Sequence, residues 1–323
     1  PQGWTERAIG EAEQAARIFE GIDDQRGLAK AWGVIGEAHW MKCHFANAED
    51  AYEKSLNHAR KAGDARQESW GLYMLAAGAA WGPLPVPEGI RRCEEIVVHA
   101  GAQRIVEARG LLALAALTAM EGHFDDARSK AARGRGILED VGFKILTAAY
   151  SQSSAYVEML AGDAQAAERE LRTGYGVLEQ MGEKGYLSTV AAELAQALYE
   201  QRRFDESERF THVSQELGPL DDLATQVEWR GTRSKLLARR GELEAAVALA
   251  EEAVAMAADT DYLNLQGDAC KDLAEVLTLG GRIDDAASRW REALEIYERK
   301  GNTVSAGRVM AMLENLATDP AGR

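Results

Sequence analysis

What most constrains this chain is a pattern that returns at a period of roughly 40 residues, within the range of known helical repeats. A helical segment ends in a small or basic residue, a short turn follows, then an apolar anchor, and three positions later a small residue. The copies are KCHFANA at 42–48, EGHFDDA at 121–127, AGDAQAA at 161–167, QRRFDES at 201–207, RGELEAA at 240–246 and GGRIDDA at 280–286. Their anchors are Phe45, Phe124, Ala164, Phe204, Leu243 and Ile283, and Val86 in PLPVPEG fills the one double gap. The steps between successive anchors are then nearly equal along the whole chain. Self-similarity of this kind marks a stack of supersecondary units.

The small residues give the pattern a physical cause. Nine positions before the anchors stand Gly36, Ala77, Ala115, Ala155, Ala195, Ser234 and Ala274; three after them stand Ala48, Gly89, Ala127, Ala167, Ser207, Ala246 and Ala286. Antiparallel helices approach to about 8–10 Å only where the side chains between them are short, so each pair marks the crossing of a helical hairpin. Apolar residues between them follow helical spacing, as in Leu236, Leu237, Leu243, Val247, Ala250 and Val254, and strand signals are missing. The expected fold is all-α, a right-handed superhelix of about sixteen helices. Residues 1–20 read as the second helix of a truncated repeat, 21–301 as seven tandem hairpins, and 302–323 as a capping helix and tail. The proline-rich GPLPVPEG at 82–89 reads as a tolerated extended turn rather than a bend or contact loop.

Trp32, Ile35 and Gly36, followed by Ala48, Tyr52 and Ser55, resemble the tetratricopeptide repeat, although that family's period is shorter, about 34 residues. Longer phrases, EKGYLSTVAAELAQALY (183–199), KLLARRGELEAA (235–246) and IYERKGNTVSAGR (296–308), resemble the C-terminal repeats of large bacterial signalling regulators. In those proteins such repeats follow a signal-transducing ATPase and either a class III nucleotide cyclase or a LuxR-type DNA-binding module. The resemblance implies a regulatory role and bacterial origin. It transfers no cyclase or ATPase residue, because neither motif occurs here.

Charge narrows the partners. With 52 acidic and 37 basic side chains the net charge is −15, a field that repels nucleic acid and anionic lipid. Three widely spaced cysteines, Cys43, Cys93 and Cys270, do not form a disulfide framework and fit a reducing cytoplasm. The most apolar run, 111–120, is half the length of a membrane span. A first residue of Pro, with helix from Trp4, leads us to expect a piece of a longer protein.

No phosphate-binding loop, His-Glu-x-x-His or Cys-x-x-Cys motif occurs, so no catalytic residue, cofactor or metal is expected. His39, Cys43 and His44 could suggest metal ligands, but His39 falls at a packing position and Cys43 where other repeats have glycine. Asp125-Asp126, Asp205-Glu206 and Asp284-Asp285 open second helices, where they offset the helix dipole. Arg133-Gly134-Arg135-Gly136 lies within a helix and reads as close packing.

The candidate site is the concave face, lined by the first helix of each hairpin. The repeat register places Trp40, Met41, Met74, Trp81, Leu112, Met120, Gln152, Tyr156 and Met159 in its N-terminal half. Lys235, Arg239 and Lys271 fall in the C-terminal half, with Glu228 and Glu275. The first set makes an apolar strip for a protein or peptide, such as an ATPase or effector domain of the same chain; the competing reading rotates some of these residues into the core. The expected function is a protein-interaction and regulatory scaffold. The alternative is a sensor that binds a small effector inside the superhelix. A closed pocket with convergent polar groups favours the sensor, and an open apolar groove the scaffold.

Overall fold

The computed structural model describes residues 3–101 and 103–318, which form seventeen helical segments and no strand. A single helix, α1 (Trp4–Gly21), precedes hairpins α2 (Gln25–Met41) with α3 (Phe45–Ala62), α4 (Ala65–Trp81) with α5 (Val86–Ala100), and α6 (Arg104–Met120) with α7 (Phe124–Asp140). In the next hairpin the first helix is interrupted at Tyr150 into α8 (Lys144–Ala149) and α9 (Ser151–Ala161), paired with α10 (Ala164–Met181). Then come α11 (Gly185–Glu200) with α12 (Phe204–Leu217), α13 (Leu223–Arg239) with α14 (Leu243–Ala258), and α15 (Leu263–Leu279) with α16 (Ile283–Lys300). The last helix, α17 (Thr303–Thr318), packs on α16. Each apolar anchor is the first residue of a second helix.

Local chemistry explains the regularity. Two residues before an anchor the backbone turns left-handed, and Gly122, Gly162, Gly241 and Gly281 supply that conformation. Cys43 and Arg202 adopt it without being glycine, with φ of 51° and 61°. Several first helices begin at an aspartate cap: Asp24 accepts from the Gly27 amide at 2.9 Å, and Asp64 from that of Gln67 at 3.1 Å. The hairpins cross where the small residues stand. A Cβ at Gly36 would lie 2.7 Å from the Tyr52 ring, and one at Gly134 would lie 2.9 Å from both the Ala108 carbonyl and Leu112. Ala195 is fully buried, and Ser207 donates to its carbonyl at 2.7 Å.

The stack then closes on itself. Asp221 accepts from the Gly3 and Thr5 amides at the start of α1. One repeat further on, Asp261 accepts from the Phe45 and Ala46 amides at 2.7 and 2.8 Å, at the start of α3. Lys300, fully buried, donates to the carbonyls of Gly82 and Leu84, both at 2.7 Å. The proline-rich turn is therefore a contact loop; its extended backbone turns these carbonyls towards a later repeat. Thr303 reaches the Met120 carbonyl, and Arg308 reaches those of Met159 and Leu160. One turn of the superhelix is sealed against the next along this edge, which encloses the inner face.

The crossing at Ala195 tests the register. Ala195→Phe is expected to cost about 1–3 kcal/mol through overpacking, read as a lower midpoint in urea; an unchanged midpoint would contradict the placement.

Candidate functional site

The inner face is enclosed and divided in character. At one level Trp81 meets Tyr156 edge to face at 5.2 Å and Tyr262 at 6.0 Å, while Phe45 packs against Tyr262 at 5.4 Å and against Trp40 at 4.7 Å. Tyr262, just before α15, and Phe45, the first residue of α3, belong to the chain itself, so the aromatic strip is already covered where the sequence suggested an open groove. Other strip residues do not face it freely. Met74, Leu112 and Met120 are 5%, 1% and 0% exposed, packed into the seams between neighbouring hairpins, and Met120 Sδ receives Asn264 Nδ2 at 3.6 Å. As exposed groove residues these three are corrected: the superhelix winds tightly enough to press successive first helices together over them. Trp40, Met41, Trp81, Gln152, Tyr156 and Met159 keep partial exposure.

In the C-terminal half the polar groups fall into two kinds. Lys235 is also corrected from an exposed position, since its ammonium is fully buried and donates to Asp272 at 2.8 Å and Gln196 at 2.7 Å. Lys271 pairs with Asp268 at 2.7 Å, and although burial works against its charge, Asp268 and Asp272 hold its pKa above the usual lysine value. Arg239 donates to the Tyr199 hydroxyl, which in turn donates to Glu275. These groups are satisfied.

The second kind is not. Glu193 on α11 and Glu228 on α13 each carry a buried Oε2 with no hydrogen-bond partner, and Gln152 on α9 has an unpartnered Nε2. Burial pushes the Glu193 carboxyl up to about 8, and burial together with Glu193, Asp222 and Asp268 pushes Glu228 well above the carboxylate range. Both residues retain some accessible surface, as do Tyr156, Tyr262 and Lys271. At Gly78 of α4 an added Cβ would meet open space. Burial raises the Tyr262 phenol, and Tyr156, Glu228 and Asp268 raise it further, which places carboxylates and aromatic rings in one neighbourhood. The repeat register put Glu228 on this face and missed Glu193; its signal was an acid on a first helix otherwise small and apolar, VAAELAQAL.

His39, Cys43 and His44 serve the fold. Cys43 is buried in the left-handed turn, and His44 Nε2 lies 2.8 Å from the Asp259 carbonyl across the seam. Among the described residues no three His, Cys, Asp or Glu side chains are placed to hold a metal ion. A surface depression lined by Phe19, Asp24, Arg26 and Lys61 lies at the N-terminal end, away from the inner face. No helix among the described residues is long and apolar enough to cross a membrane.

Comparison with known proteins agrees with this architecture. No protein-family model matches the chain, and no curated protein matches it in sequence. Among solved structures, a Rap protein complexed with competence and sporulation factor is 11% identical, with 98% of each chain covered and a TM-score of 0.58. Yeast Tom70 is 15% identical at a TM-score of 0.51, covering 99% of this chain and 62% of its own. A signal transduction ATPase with a tetratricopeptide repeat sensor from Pyrococcus horikoshii is 13% identical at 0.50, covering 83% of this chain and 43% of its own. At these identities the likeness is one of fold: the chain is a right-handed solenoid of tetratricopeptide-like hairpins.

The raised carboxyl of Glu193 has a measurable consequence. Its folded pKa exceeds the unfolded value, so its contribution is intact below about pH 4.5 and is lost as pH rises towards 8. Glu193→Gln is expected to leave stability at pH 4.5 nearly unchanged and to raise it at pH 8 by about 2 kcal/mol, less than half of what the full shift would give, because water still reaches the residue. Denaturant melts at the two pH values check this; equal effects at both would place the carboxyl in water.

Proposed function

We propose that the chain is a regulatory binding domain that takes its ligand into the enclosed interior of the superhelix, and that the ligand presents a cationic group on an apolar body. The observation that carries this reading is the pair of unpartnered carboxyl groups, Glu193 beside Glu228 and Glu228 beside Tyr262, whose ring also meets Trp81. Buried acids without a counter-charge are costly, and a ligand cation would supply it. Aromatic faces favour the same charge. The closed edge, with polar groups converging behind it, supports a sensor over an open scaffold groove.

A scaffold role for the outer surface is compatible with this site, and the proposed partners are proteins, peptides or small effectors rather than nucleic acid. The P. horikoshii neighbour, whose description includes a tetratricopeptide repeat sensor, supports placing this domain within a larger signalling regulator of the cytoplasm. No catalysis is proposed for it.

Octylamine, a primary amine on an apolar chain, probes the site. Titration calorimetry is expected to show binding that strengthens from pH 6.5 to 8.5 and releases protons as the two carboxyls ionise. The double variant Glu193→Gln with Glu228→Gln is expected to bind at least tenfold more weakly. Equal binding by the variant, or none by the wild-type chain, would overturn the reading.

A further inference from the structure

Arg109 on α6 is only 7% exposed, and no carboxylate pairs with it among the described residues. Its guanidinium lies 4.8 Å from the centre of the Tyr150 ring and 5.4 Å from that of Tyr73. Its Nε is buried without a hydrogen-bond partner, and so is the Tyr73 hydroxyl. Arg203, by contrast, finds two acids, Glu168 and Glu206. Glu37, an acid of the same inner face, is taken by the Trp70 indole at 3.0 Å. A guanidinium removed from water with two aromatic faces and no counter-ion is an incomplete ion pair.

The interruption of the α8–α9 helix belongs to this arrangement. Tyr150 is the residue at the break, and its ring is one of the two against Arg109. From α11, Tyr186, whose phenol is raised by burial, comes within the field of the same guanidinium. Tyr186 and Glu193 are two helical turns apart on one face of α11, a rise of about 10 Å at 1.5 Å per residue. An unpaired cation and an unpaired carboxyl thus lie beside positions two helical turns apart on one face of α11, Tyr186 and Glu193.

We propose that Arg109, together with the Tyr73 hydroxyl, receives a carboxylate of the ligand whose cationic end lies between Glu193 and Glu228. The site then selects elongated molecules charged at both ends over simple amines. This rests on the interior being the binding site, and the test separates the two claims.

The probes are octylamine, with a cation only, and 8-aminooctanoate, whose extended chain also carries a carboxylate at about the required span, compared by calorimetry at pH 8. The wild-type chain is expected to bind 8-aminooctanoate at least tenfold more tightly than octylamine. Arg109→Met, which keeps a long apolar side chain against both rings, is expected to lose that advantage while binding octylamine unchanged, and Arg109→Lys to keep part of it. Because no acid partners Arg109 and methionine keeps the packing against both rings, Arg109→Met is also expected to melt no lower than the wild-type chain. Equal binding of the two probes by wild type, an advantage that survives Arg109→Met, or a melting temperature several degrees lower in that variant would overturn the role of Arg109 and leave the cationic site standing. Failure of both probes to bind would remove the interior site and this inference with it.

Discussion

The structure depends on helix ends that are satisfied from one superhelical turn away. The start of α3 has no capping side chain of its own, and Asp261, 216 residues further on, accepts from its first two amides. Asp221 does the same for α1, whose own cap residue, Gly3, has no side chain to offer. At helix C-terminal ends the need is reversed. Thr303 and Arg308 donate to carbonyls at the ends of α6 and α9, and Lys300 to those of the turn after α4. Exposed N–H groups thus meet acids, and exposed carbonyls meet donors, along one continuous edge. Each contact does for a remote helix what a local cap would do, and in doing so it fixes the pitch of the superhelix.

Closing the edge determines the chemistry inside. Once the inner face is shielded, an ionisable group there must find a partner or shift its pKa. Lys235 with Asp272 and Lys271 with Asp268 take the first course. Glu193 and Glu228 take the second. An interior built for stability alone would have apolar residues at those positions, and the unpaired groups are what the proposed ligand site rests on. Their cost is carried by the hairpin seams, which bury an extensive apolar core from α3 through α9 and another in the last repeats.

Much of the fold was legible because it is local and repeated. The anchors, the small crossing residues and the left-handed turns all follow from one hairpin, and the many copies make the pattern unambiguous. The site was less legible because it depends on pitch. Trp81 and Tyr156 do stand together, but Met74, Leu112 and Met120 sink into the seams, which helical spacing alone could not distinguish from the concave face. The edge contacts join positions 148 to 218 apart in the chain, beyond any local pattern. One trace was present: Asp221 and Asp261 are separated by one repeat period, as are their partners Thr5 and Phe45, so both sides of the seam share the repeat.

The closed edge is tested most directly by a distance across it. Spin labels on cysteines introduced at Ala46 and Asp259, both exposed and flanking the seam, would be measured by pulsed electron resonance in the otherwise unmodified chain. The expected result is one short, narrow distance distribution that does not change with salt. A broad distribution, or one centred at a separation far beyond neighbouring helices, would mean that the superhelix is open in solution and that its inner face is a groove.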